Sequence, residues 1–589
     1  MSDFVSRLPK IYGMYTGGFI AFVVILAIAE QMGLPNVWIG YVFMAATIGL
    51  YAMIGIMSRT AETDEYYVAG RRVPAVFNGM ATGADWMSAA SFIGMAGTLY
   101  AQGYDGLAFV MGWTGGYVLV ALFLAPYLRK FGQYTIPDFL GTRYGGNLPR
   151  SIGIICAITA SFTYVIAQIY GAGIITSRFL GIDLATGVWV GLAGVLVCSL
   201  LGGMRAVTWT QVAQYIVLII AYLVPVVWLS IKVTGNPVPQ IAYGEVLQQI
   251  GGLEQQLGVT AGHATPFVKN DMVNFIALTF CLMVGTAALP HILMRFFTTP
   301  SVKEARKSVG WSLFFIFLLY FTAPAYAAFA KFEVYSNVIG QSIATLPAWV
   351  ASWSKVGLVS VCDAVNAMET VKGCAANGNG DGILQLTELV LNADAIVLAT
   401  PEIAGLPYVI AGLVAAGGLA AALSTADGLL LTISNALSHD MYYKMINPNA
   451  STKKRLIVAR VILLGVAAVA AYAASHAPAT ILAIVAWAFS IAAAAFFPAL
   501  VLGIFWKRAN KAGAVAGMIV GFGITLYYLI NVKFFGMQPW FGIKDVSAGI
   551  FGIPLGFLTI WIVSLMTREP AQEIKDLVED LRYPRLVRS

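Results

Sequence analysis

About fourteen apolar stretches, each near the length needed to cross ~30 Å of hydrocarbon, recur along this chain, and nothing else limits its folding as severely. They fall at 12–33, 36–57, 77–101, 105–128, 150–178, 184–202, 206–231, 270–298, 308–331, 405–440, 456–475, 479–506, 512–532 and 546–566. In hydrocarbon every backbone N–H and C=O must be paired inside the protein, so these stretches are expected to be helices. Only 11% of the 589 residues are charged, against roughly 25% in a soluble domain. The expected fold class is therefore an all-α polytopic membrane protein.

Charge placement supplies the topology. With Met1 inside, alternate loops carry Arg71 and Arg72, Arg129 and Lys130, Lys303 to Lys307, Lys453 to Arg455, and Lys507 to Lys511 on one side. Roughly three-quarters of all Lys and Arg then face the cytoplasm, which predicts both termini inside. The net charge of +7 sits at span ends rather than in a patch, so no nucleic-acid partner is expected. The first span, behind Arg7 and Lys10, shows no small-residue cleavage site and is expected to be retained. Cys156, Cys198 and Cys281 lie in apolar runs as buried thiols.

One span is unlike the others. Residues 79–97, GMATGADWMSAASFIGMAG, place glycines, two serines and Asp85 inside an apolar segment. Such backbone survives in a membrane only where it is buried or lines a cavity, which predicts a broken helix around an ion or substrate site. Asp85 is expected to be an ion-path carboxylate, with a helix-end cap as the alternative.

Two outer loops are long. Residues 233–269 show no clear period and read as connecting loop; residues 332–404 contain NGNGDGILQLTE at 377–388. In a 12-residue EF-hand register this supplies Asn377, Asn379, Asp381, the Ile383 carbonyl and Glu388 as Ca2+ ligands, with Gly382 at the turn. Asn377 replaces the usual Asp, and two carboxylates predict weak affinity. Cys362 and Cys374 flank the preceding helical segment and are expected to form a disulfide in an oxidising compartment.

In the tenth span Ala421, Ser424 and Thr425 fall at i, i+3 and i+4, so a carbonyl and two hydroxyls share one helix face. Neutral oxygens there suit Na+; hydrogen bonding between helices is the alternative. Asp427 is a further carboxylate about 100° or more around that helix, free to pair, titrate or bind an ion.

The chain resembles the sodium:solute symporter family, and within it the cation/acetate symporters. The carriers are DEYYVAGRR (64–72), DWMSAASFIG (85–94) with GYDGL (103–107), YTIPDFLGTRYG (134–145) and GGMRAVTWTQ (202–211). Further along stand GTAALPHILMRFF (285–297), EARKSVG (304–310), SHDMY (438–442) and GIFWKRANKAGAVAGMIVGFG (503–523). The resemblance implies a leucine-transporter-like core of two inverted five-helix repeats. The chain then divides into 1–75, two spans and a cytoplasmic loop; 76–232, the first repeat; and 233–269, an outer loop. Residues 270–506 form the second repeat, including the 332–404 loop, and 507–589 hold two spans and a cytoplasmic tail. The resemblance implies a sodium site on the carbonyls of Ala84 and Met87 and on Ala421, Ser424 and Thr425. Beside it, substrate would meet Ser88, Ser91, Tyr164, Gln168, Thr286 and His291. Gln211 stands where many sodium-coupled relatives have Asp, which counts against a second cation site.

His291 is expected either to meet a substrate carboxylate or to seat a helix end, Arg295 to snorkel to the inner surface, and Glu30 to reach outer water. His263, His439 and His476 have no zinc-ligand company in the sequence, so no transition metal is expected. The tail from 567 reads equally as an amphipathic surface helix or a disordered segment. The expected activity is Na+-driven uptake of a small organic anion, acetate or another short monocarboxylate, across a bacterial cytoplasmic (inner) membrane. An H+-coupled or amino-acid symporter is the alternative, and a solute sensor acting through a partner a weaker one. No span carries a nucleophile with a nearby His, so an enzyme is not expected. A small membrane subunit or a second copy as partner is left open.

Overall fold

The computed structural model describes residues 2–58, 60, 62–199, 203–362 and 378–583. Twelve of its helical stretches are long and apolar enough to cross a membrane. One of them, Ala90–Phe131, joins parts of two expected spans through a turn at Gly103, and Leu184–Leu196 is a shorter apolar helix. The fold is that of a multi-pass membrane protein.

At its centre stands the Tyr408–Asn435 helix, in which every residue from Val409 to Asn435 is buried. Its small residues, Gly417 and Gly418 among them, let the Gly203–Thr234 and Asn147–Leu180 helices pack closely against it. The Ser2–Gln31 and Thr452–Ser475 helices lie further out and expose much of their apolar surface, as lipid-facing helices do. Glu30 is half-buried and bonded to the protein rather than free in outer water. Its two carboxylate oxygens accept the N–H groups of Tyr408 and Val409 at 2.7 and 2.8 Å, capping the central helix where four N–H groups lack partners.

The long loops hold more structure than their composition suggested. Within 233–269 runs an 18-residue helix, Pro239–Gln256, which buries Ala242, Val246, Ile250 and Glu254. Its glycines and glutamines hid this narrow i, i+4 stripe. The 332–404 loop contains a two-stranded antiparallel sheet, Val359–Val361 paired with Leu389–Leu391, so the fold is not strictly all-α. The tail does form an amphipathic helix, Gln572–Arg582, held by Lys507 to Glu579 at 2.7 Å and by buried Val578 and Leu581.

Asp394 fastens this loop to the bundle. It is fully buried, and Oδ2 accepts the N–H of Ile481, the first residue of the Ile481–Phe505 helix, at 3.1 Å. Burial pushes its carboxyl up to about 7 from an ordinary value near 3.8. The folded chain therefore holds a proton that the unfolded chain releases, so stability is complete below pH ~4 and declines as pH rises through about 7. Thermal unfolding of Asp394→Asn is expected to lose this decline between pH 4 and 8, whereas the wild-type midpoint falls across it.

Candidate functional site

The expected break is present and has a defined form. The Ala75–Trp86 helix ends at Met87, whose backbone turns out of the helix (φ −78°, ψ 66°). Ala90–Gly94 then winds as one wide π turn, and Met95–Gln102 completes the crossing. Two N–H groups released by the break are taken up by side chains. Ala89 donates to Gln168 Oε1 at 2.9 Å, and Ala90 to Ser88 Oγ at 3.2 Å. Gln168 and Ser88, expected at the substrate, thus also hold the break.

The carbonyl side of the break faces the central helix. Ser424 Oγ donates to Ala84 O at 2.8 Å and lies 3.0 Å from Ala421 O; Thr425 Oγ1 donates to Asp85 O at 2.8 Å. The structure therefore gathers Ala84, Ala421, Ser424 and Thr425 in one place and adds the Asp85 carbonyl, which the sequence reading had not included. Met87 follows directly. The oxygens brought together here are all neutral, and a hydroxyl can rotate its proton away and present a lone pair, so their chemistry fits a hard monovalent cation.

Arg295 overturns its expectation. Rather than snorkelling it is completely buried, with Nε bonded to Asp85 Oδ2 at 3.0 Å and Nη1 to Thr208 Oγ1 at 3.1 Å. Nη2 contacts Gln211 Oε1, and Gln211 Nε2 donates to Ser424 O at 2.7 Å. Asp85 lies in the last turn of its helix, so it is not an N-cap; it is the counter-ion of a buried guanidinium. Gly428 leaves room for it, since a Cβ there would come 2.3 Å from Asp85 Oδ1. Asp427, one residue earlier, is buried as well.

On the other side of the break lies an aromatic cluster, a chamber closed by its own packed rings. Phe489 packs against Trp86, Trp113 and Tyr164 with ring centroids 5.6–5.8 Å apart, Trp86 against Tyr117, and Tyr164 edge-on to His291. Ser91 bonds the Tyr320 hydroxyl at 2.8 Å, and the Tyr320 ring packs at a tilt against Trp113, centroids 5.9 Å apart. Thr286 spends its hydroxyl on Leu282 O and sits tight against Gly116. Among the described residues, Trp113 Nε1, Gln168 Nε2 and both nitrogens of His291 are buried without a hydrogen-bond partner, while Trp86 Nε1 and the Tyr117 hydroxyl have only loose contacts with Tyr320 and Ser312. Trp86, Trp113, Tyr117 and Phe489 were not singled out from sequence, because indole and phenol rings in apolar runs look like ordinary core.

A second polar cluster lies on the short segments beyond these spans. His439 was read as lacking ligand company, yet the fold brings Asp138 and Asp440 to it, with ligand atoms within 4.8 Å of one another. Arg455 Nη2 donates to His439 Nδ1 at 3.1 Å, which commits the neutral ring's proton to Nε2, the atom that would bind a metal. Arg150 bonds Asp138 at 3.1 Å, and Thr135 donates to Asp440 at 2.7 Å. With Arg150 on Asp138, Arg455 on His439 and Thr135 on Asp440, the cluster is a polar brace between the segments.

The EF-hand-like loop folds on its carboxylates. Glu388 accepts the N–H groups of Asn379 and Gln385, both at 2.9 Å, and Asp381 accepts that of Ile383 at 2.8 Å, which holds its carboxyl below the usual range. Gly380 and Gly382 both adopt φ +75°, and Leu384 is buried. Asn377 lies outside the described residues. So does Cys374; Cys362 is buried, its N–H bonded to Glu388 O at 2.8 Å.

A membrane-embedded bundle, a helix interrupted at mid-span and neutral oxygens converging on the interruption define a secondary solute carrier. The sodium:solute symporter family pattern matches residues 66–346 and 386–521. An uncharacterized symporter of Cupriavidus necator is 46% identical over 99% of both chains. The monocarboxylic acid transporter of Corynebacterium glutamicum is 28% identical over 96% of both. Among solved structures, a Na+-coupled sialic acid symporter superposes with a TM-score of 0.67 at 18% identity, covering 91% of this chain and 99% of that one. The chain belongs to the sodium:solute symporter family.

Removing one partner of the buried pair leaves the other charge stranded, at a cost of about 3–5 kcal/mol. Arg295→Gln is therefore expected to lower the thermal midpoint sharply. Asp85→Asn combined with Arg295→Gln is expected to recover much of the loss, read by fluorescence-detected unfolding of the purified protein.

Proposed function

We propose that this chain carries a small organic anion, acetate or another short monocarboxylate, inward together with Na+ by alternating access. The observation that carries the reading is the set of orphaned donors around the chamber. Each buried N–H without an acceptor costs about 1–3 kcal/mol, and the Trp113 indole, the His291 imidazole and the Gln168 amide together call for an acceptor-rich, anionic guest. Phe489 and the neighbouring rings suit the short apolar part of such a guest. The relationship to the monocarboxylic acid transporter of Corynebacterium glutamicum points to the same class.

Na+ would be held by the carbonyls of Ala84, Met87 and Ala421 and the hydroxyls of Ser424 and Thr425. Because the hydroxyls and the Ala421 carbonyl belong to the central helix and the Ala84 and Met87 carbonyls to the broken one, the ion joins two bodies that separate when the site opens inward. An anion entering against the membrane potential needs a cation beside it, since each charge is worth about 2.3 kcal/mol per 100 mV. Arg295 and Asp85 neutralise one another and leave the site's charge balance to its cargo. Asp427 is kept as a second carboxylate on the ion path. In this reading the chain makes fourteen crossings in the cytoplasmic membrane, with a core of two inverted five-helix repeats and both termini in the cytoplasm. Cys362 and Cys374 form a disulfide in the outer loop.

Labelled acetate uptake into proteoliposomes tests the reading. Wild type is expected to need an inward Na+ gradient, and Ser424→Ala with Thr425→Ala to lose at least nine-tenths of the rate. Uptake driven equally by a proton gradient alone would reject Na+ coupling, and no acetate uptake under any gradient would reject the substrate class.

The outer loop is proposed to bind Ca2+ through Asn377, Asn379, Asp381, the Ile383 carbonyl and Glu388. The donors are all oxygen, and each described carboxylate oxygen that accepts an N–H retains a further lone pair. Millimolar Ca2+ is expected to raise the thermal midpoint of wild type and to leave that of Asp381→Ala with Glu388→Ala unchanged.

A further inference from the structure

Lys331 is the buried cation that the proposed transport cycle does not use. It lies on the Ala323–Asn337 helix, 6% exposed, and its ammonium makes no hydrogen bond or ion pair among the described residues. Its neighbours are two rings, those of Tyr100 and Tyr335, with centroids 5.3 and 5.6 Å from Nζ. A buried ammonium without a hydrogen-bonded counter-charge is costly, and two cation–π contacts, at about 0.5–2 kcal/mol each, offset only part of that cost.

The ammonium borders a cavity of about 200 Å3 also lined by Gln102, Gly103, Glu254, His263 and Tyr335. Glu254 is the acid that faces Lys331, but its carboxylate is turned to the loop backbone. Oε1 accepts the His263 N–H at 2.8 Å, and a Cβ at Gly262 would come 2.4 Å from Oε2. Lys269 also lines the cavity, so two cations stand against one carboxylate and leave a net positive charge. Burial, reinforced by the charge on Lys331, pushes His263 down to about 3, which keeps the ring neutral in the physiological range. Its Nδ1 is buried and has no hydrogen-bond partner among the described residues. An ammonium with no hydrogen-bonded counter-charge, in a small cavity where cations outnumber carboxylates, makes an anion site.

The position is informative. Gln102 and Gly103 end the outer half of the broken helix, and Tyr104 N–H bonds His263 O at 2.8 Å, tying the cavity to that end. The inner end of the same half-helix carries Ser91 at the chamber. We propose that this cavity is a second, peripheral site for the transported anion, a short monocarboxylate held by Lys331 at the outer mouth before it reaches the chamber. The inference rests on the symport reading for its choice of ligand and orientation. At about 30 Å3 per water in the liquid, the cavity has room for one acid of two to four carbons with a few waters. A positive cleft raises the local concentration of its counter-ion.

The test uses the full chain in nanodiscs and 13C-acetate, with binding followed by saturation-transfer NMR with and without Na+. Two components are expected in wild type. A Na+-dependent one is lost in Ser424→Ala with Thr425→Ala. A Na+-independent one weakens at least tenfold in Lys331→Gln, returns in Lys331→Arg, and resists an equal concentration of chloride. Retention of the Na+-dependent component in Lys331→Gln shows that this variant is folded. The proposal is overturned if the Na+-independent component is missing from wild type, survives Lys331→Gln unchanged, or is displaced equally by chloride. Loss of both components in Lys331→Gln also overturns it, since the lysine is then structural. If wild type shows only the Na+-independent component, the coupled-transport reading fails instead, and the peripheral site stands.

Discussion

Two hydroxyl groups hold the centre of this protein together. Ser424 and Thr425 reach from the central helix to the carbonyls of Ala84 and Asp85, just where the neighbouring helix loses its own ladder. A broken helix inside a membrane-spanning bundle leaves N–H and C=O groups that no water is at hand to satisfy. Here the carbonyls go to Ser424 and Thr425, and the N–H groups to Gln168 and Ser88. The same arrangement that makes the break tolerable leaves a cluster of oxygens whose hydroxyl members can turn from donor to ligand. Structural necessity and the proposed cation site are one set of atoms.

Around that cluster the charges are closed off. Asp85, Arg295 and Gln211 form a chain that ends on the Ser424 carbonyl and links four segments of the bundle. The Arg295 guanidinium fills the space beside Gln211. Removal from water makes such a pair poor evidence for stability but an effective means of fixing register, because each charge tolerates only the geometry that presents its partner.

Much of this was legible in the sequence, for reasons that differ by region. Membrane helices announce themselves through length and apolarity, and the glycines, serines and aspartate of 79–97 could only mean a break. The face shared by Ala421, Ser424 and Thr425 followed from helical periodicity. Arg295 was misread because a cation near the end of a predicted span ordinarily snorkels; nothing local shows that Asp85, 210 residues earlier, is waiting for it. Glu30 and Tyr408 are as remote from one another, and so are His439 and Asp138. The chamber escaped notice because its donors belong to aromatic residues, whose functional and packing roles look alike in a one-dimensional string. The Pro239–Gln256 helix escaped because a stripe one residue wide is lost among glycines and glutamines.

Gly97 carries one more implication. Its backbone lies so close to the Ala393 carbonyl that a Cβ would come 1.8 Å from that oxygen. The next residue, Asp394, bonds the first turn of the Ile481–Phe505 helix. The outer half of the broken helix, the 393–395 turn and the start of a distant helix are thus geared directly, backbone against backbone, with no flexible side chain to act as a cushion. A displacement of the half-helix relative to the bundle would therefore be felt at the turn and at the Asp394 bond, so these three pieces act as one mechanical unit.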